Sequence, residues 1–212
     1  MTNTRNKLSE VEFFLNHMIG SQHDQDKADA FGYYFSAFLS AFRSVTLIMQ
    51  KEFSGNEFES WYKNIQTFMK NHGKMKLLET LRDIVLHRWN CVLDKQETLT
   101  VYVTAGVISV QATVVTPIVR IDGELLPSNH NDKQRASPNL KKQKEPAGTS
   151  DIETTILWTI DKEGFDDESK KDIMKIPDID EILKIDVVTI CKEGMSTLSD
   201  IVSECERMFA MA

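Results

Sequence analysis

The stretch Arg82-Asp83-Ile84-Val85-Leu86-His87 holds the side chains best suited to a reaction that needs no metal. A guanidinium holds and neutralises a phosphate in planar fork geometry. An imidazole, with an ordinary pKa near ~6.5, moves protons close to neutral pH. These are the parts of metal-free RNA cleavage. Arg82 would bind the phosphate, and His87 would take the ribose 2′-hydroxyl proton or protonate the leaving oxygen. Asp83 would orient one of them. The chain has seven arginines and five histidines, so this spacing arises readily by chance and only its context gives it weight. An ordinary structural reading stands beside it. Arg82 would then be a helix-edge arginine paired with a carboxylate, and His87 a helix C-terminal imidazole favoured by the dipole. On a regular helix the two positions are ~140° apart in azimuth and ~7.5 Å apart along the axis. They converge on one phosphate only if the helix breaks after Leu86 or a second copy of the chain contributes.

Other chemistries lack their motifs. Gly73-Lys74 is followed by Met75, and Phe68 stands where a P-loop needs its first glycine. No G-x-G-x-x-G, H-E-x-x-H, C-x-x-C or G-x-S-x-G occurs. No cofactor and no metal site is expected, and Asp166, Asp167 and Glu168 read as a solvated face. Cys91, Cys191 and Cys205 form no close pair and read as buried reduced thiols. The net charge of −7 argues against a dedicated duplex-DNA binder, which needs a basic face. The N-terminal residues do not read as a secretory signal, and no run approaches 18 apolar residues, so a cytoplasmic protein with no membrane contact is expected.

The elements that would position Arg82 and His87 follow from periodicity. Hydrophobic residues make up 41% of the 212-residue chain, enough for the core of one domain. Residues 8–92 read as a bundle of four helices with short connections. Ser9 and Glu12 form a capping box for the first, with Gly20 as its stop. Phe31, Tyr34, Phe35, Phe38, Phe42, Val45 and Met49 trace one face of the second, beside a row of small residues from Ser36 to Ser44. Arg43 on this helix is a secondary candidate for function, with a structural ion pair as its simpler role. The third helix would bury Phe58, Trp61, Ile65 and Phe68. The fourth, Lys74 to Trp89, would bury Leu77, Leu78, Leu81, Ile84 and Val85, and it carries the Arg/His set.

The period then changes. Leu99, Val101 and Val103 alternate with polar residues, as do Ile108, Val110, Ala112 and Val114 after Ala105-Gly106, which predicts a hairpin. Thr154–Ile160 would add a third antiparallel strand. Between them, 128–150 has a net charge of +3 and no aromatic residue, so it reads as a mobile basic loop. Asp186–Ala210 is a last helix, with Gly194 as a weak point. The expectation is a single α+β domain over 1–212: a helical bundle (8–92), an inserted β-region (96–165) and a closing helix (186–210).

The residues Arg82, Asp83 and His87, at the end of a late bundle helix, resemble the HEPN superfamily of small α-helical bundles. Its ribonuclease members carry Arg, a polar residue, a short gap and His at this place. Phe-Ser-Ala-Phe-Leu-Ser-Ala-Phe-Arg-Ser (35–44) also looks like the long second helix of such bundles. The resemblance covers about 8–92, with the β-region as an insertion. It implies a homodimer in which two Arg/His sets face one groove and cleave RNA without metal. Trp89 stands where some relatives carry a tyrosine that is modified. A second reading is a non-catalytic dimer whose hairpin edge or basic loop binds a partner protein.

Overall fold

The computed structural model describes residues 2–22, 28–88, 92–103, 110–120, 150–161 and 164–209, and these are mostly helical. Four helices come first: α1 (Asn3–Ser21), α2 (Ala28–Glu52), α3 (Asn56–Asn71) and α4 (Gly73–Arg88). Strands β1 (Val92–Val103), β2 (Val110–Arg120) and β3 (Ser150–Ile160) follow, then α5 (Asp167–Ile173), α6 (Ile179–Ile182) and α7 (Val187–Phe209).

α1 begins six residues before the expected capping box. Thr2 caps it, its hydroxyl accepting the Arg5 amide at 3.1 Å. Ser9 sits inside the helix and donates to the Arg5 carbonyl at 3.2 Å. The early start has a tertiary cause. The first amides of a helix have no partner within it. Glu52, in the last turn of α2, accepts the Asn3 and Thr4 amides, both at 2.8 Å. The helical bundle therefore starts ahead of residue 8.

α2 follows its aromatic stripe closely. Phe31, Phe35, Phe38, Phe42, Val45 and Met49 are buried and Tyr34 is half-buried. α3 buries most of its expected face. Phe58 and Tyr62 are buried and Trp61, Ile65 and Met69 partly so, while Phe68 lies exposed. Gln50 Nε2 donates to the Tyr62 hydroxyl at 2.9 Å, fixing that face against α2. In α4, Leu77, Leu78, Leu81, Ile84 and Val85 are all buried.

The backbone of β1 pairs antiparallel with both other strands, in the order β2-β1-β3. Val101 lies opposite Val110 on one side and Ile152 on the other, and the register with β2 shifts between Leu93 and Lys95. Residues 104–109, including the expected turn at Ala105-Gly106, and 128–149 of the basic loop lie outside the described residues. Alternate residues of β3 anchor it to the bundle. Ile156, Trp158 and Ile160 are buried while Leu157 is exposed. Trp158 stacks on Phe31 of α2 with centroids 4.1 Å apart. The far edge of β3 is occupied at both ends of this pair. Gln22 Nε2 donates to the Ile156 carbonyl at 3.1 Å, and the Trp158 amide donates to Asp186 Oδ1 at 3.0 Å.

Asp186 also starts α7, its other oxygen accepting the Thr189 amide at 3.1 Å. Asp166, Asp167 and Glu168 are exposed, and Asp166 also caps α5, accepting the Glu168 and Ser169 amides at 3.0 and 2.7 Å. Gly194 is buried within α7 and is no weak point. A Cβ there would lie 2.4 Å from Leu78 Cδ1, so its absence lets α4 and α7 approach. No helix among the described residues is long and apolar enough to cross a membrane.

Candidate functional site

α4 owes its placement to its first residue. A Cβ on Gly73 would lie 2.7 Å from the Pro177 carbonyl oxygen and 2.6 Å from Ile182 Cδ1. Glycine thus lets the α5–α6 segment cross the helix start. The five buried leucine, isoleucine and valine side chains then set the rotation of α4 and turn positions 82 and 83 outward.

Arg82 Nη1 lies 2.8 Å from Asp83 Oδ1, with the two side chains 27% and 57% exposed. Among the described residues Arg82 Nε is buried and has no hydrogen-bond partner. The guanidinium is therefore only partly satisfied: one nitrogen on an exposed carboxylate, one buried donor without an acceptor. His87 falls on the helical backbone of α4, and its side chain lies outside the described residues. α4 stays helical to Arg88, so no break follows Leu86. One of the two routes to convergence is thereby removed. Within one chain the helix keeps the Arg82 and His87 backbone positions ~140° apart.

Arg43 of α2 lies on the same side of α4 as Arg82. Its Nη1 is 4.0 Å from Glu79 Oε1 and donates to Thr46 Oγ1 at 3.3 Å. Glu79 precedes Arg82 by three residues, so the two share a helix face. Lys76 Nζ takes the other Glu79 oxygen at 3.0 Å. A cavity of about 280 Å³ opens between α2, α3 and α4 at this place, with Arg43, Lys70, Gln66 and Glu79 among its lining. Reading the sequence singled out Arg43 but not Lys70, Gln66 or Glu79. The signal available was slight: Gln66 and Lys70 are one turn apart on α3 and flank Met69.

Comparison with family models, curated proteins and solved structures gave no match. Among the described residues no group of three or more His, Cys, Asp or Glu side chains is placed to hold a metal ion.

Proposed function

We propose that this chain is a HEPN-like bundle with an inserted three-stranded sheet, and that it binds and cleaves RNA as a homodimer without metal. Arg82 holds the phosphate, His87 transfers the protons and Asp83 holds Arg82 in place until substrate arrives. The observation that carries the reading is the Arg82 guanidinium, on a side chain 27% exposed and lacking a partner at Nε among the described residues. Its contact with Asp83 is of a kind that contributes only about 0–1 kcal/mol, so a bidentate fork contact to a phosphodiester replaces it readily. The unbroken α4 supports the dimer, because the second protomer must supply the facing His87.

The Arg82–Asp83 pair also favours a second reading, in which the arginine is structural and the dimer is a non-catalytic module for a partner protein. An RNA-cleavage assay in EDTA separates the two. Native protein, verified as a dimer by light scattering, is compared with His87→Ala and Arg82→Ala. Cleavage that leaves 2′,3′-cyclic phosphate ends and disappears in both variants supports the ribonuclease. A folded dimer that cleaves none of several RNAs rejects it in favour of the interaction module.

A further inference from the structure

We propose that the cavity between α2, α3 and α4 binds a small amphipathic anion, a carboxylate or phosphate carried on an apolar body. This site shares no residue with the Arg82, Asp83 and His87 set and does not rest on the RNA reading. Its volume of about 280 Å³ is close to that of small-ligand pockets, which begin near ~300 Å³. Leu39, Phe42, Met69, Met75 and Leu78 give it an apolar lining, while Arg43 and Lys70 bring positive charge.

Cations outnumber carboxylates in the lining. Arg43 and Lys70 line the cavity with a single carboxylate, Glu79, which Lys76 also pairs from outside the lining. Lys76 already takes Glu79 Oε2 at 3.0 Å, and Arg43 is 4.0 Å from Oε1, beyond hydrogen-bonding range. Among the described residues Arg43 gives one side-chain hydrogen bond, to Thr46, although a guanidinium has five N–H donors. Lys70 has no ion-pair partner among the described residues. Arg43 lines the cavity and its side chain is 34% exposed. An anion seated here takes a fork contact from Arg43 and a point charge from Lys70, while its apolar body packs on Phe42 and Leu78. A neutral or cationic molecule of the same shape leaves the surplus positive charge unanswered.

Calorimetric titration of the full chain with decanoate, phenyl phosphate and decylamine tests this. At least one of the two anions binds with one-to-one stoichiometry. Decylamine does not bind. Arg43→Gln and Lys70→Gln, both at solvent-accessible positions, each weaken the anion by about tenfold or more. Met69→Trp, which fills the cavity, abolishes binding. If Met69→Trp fails to fold, the two charge variants still decide. The proposal is overturned if neither anion binds the folded native chain at about 1 mM, a Kd worth only ~4 kcal/mol. It is equally overturned if decylamine binds as tightly, or if Arg43→Gln and Lys70→Gln both bind the anion like the native protein.

Discussion

Thr4 gives Glu52 two hydrogen bonds across 48 residues of sequence, from its amide at 2.8 Å and its hydroxyl at 2.6 Å. Burial raises the Glu52 pKa, but the bonds from Thr4 and the Asn3 amide outweigh it and hold the carboxyl below its ordinary value. Glu206 is likewise lowered, first by its hydrogen bond from Arg5, against burial, and then by Thr2. Groups depressed in the folded state contribute stability above their unfolded pKa and lose it as pH falls through the folded value. Stability from this cluster is therefore constant near neutrality and declines below about pH 4.3, the ordinary glutamate value. Urea midpoints measured from pH 7 to pH 2.5 check this. Glu52→Gln lowers stability by about 1–2 kcal/mol at pH 7 and flattens the acid limb.

Two glycines in helices respond to alanine in opposite directions. Gly73→Ala drives a Cβ into the Pro177 carbonyl, a backbone atom that cannot rotate away. A loss of about 1–3 kcal/mol is expected. Gly20→Ala meets nothing within 4 Å and gains up to about 1 kcal/mol from helix propensity. Equal shifts of both thermal midpoints would contradict the Gly73 contact.

Arg82→Met separates stability from function. The change removes a buried donor that has no acceptor, together with an exposed ion pair of small value. Folding stability stays within about 0.5 kcal/mol of native or rises. RNA binding, followed by filter retention at low salt, falls sharply if Arg82 holds phosphate. A large loss of stability would instead mark Arg82 as a structural residue.

Burial pushes the Cys205 thiol up to about 12, with Glu206, Glu52 and Glu204 adding to it. At pH 8 almost none is thiolate, so Cys205 resists alkylation in the native protein. Iodoacetamide labelling read by peptide mass spectrometry is expected to modify it only once denaturant opens the contact between α2, α3 and α7. Rapid native labelling would contradict its burial.

The parts that the sequence disclosed were those fixed by local periodicity. The α2 stripe from Phe31 to Met49 and the α4 stripe from Leu77 to Val85 are buried as their spacing requires. The misread features were settled by partners far away in sequence. On α3, Phe58, Trp61 and Ile65 pack as their spacing requires, but Tyr62, bonded to Gln50, is buried where Phe68 is exposed. Thr2 rather than Ser9 caps α1 because Glu52 meets the neighbouring amides. The Arg82–Asp83 pair was foreseeable from adjacency, whereas the orphaned Nε was not. The cationic cavity draws on three helices, and no spacing within one of them announces it.

Thr2 Oγ1 donates to Glu206 Oε1 at 2.5 Å across 204 residues, and Arg5 pairs with the same carboxylate. A ribosome makes α1 well before α7. The clasp between them therefore cannot close on a growing chain until α7 has been translated. Until then Phe42 and Leu78, which meet α7 at Gly194, lack that cover. Long-range closure of this sort slows folding and leaves apolar surface open for longer. Translation that stalls before α7 thus yields a chain predisposed to aggregate and dependent on chaperone capture, however sound its earlier helices.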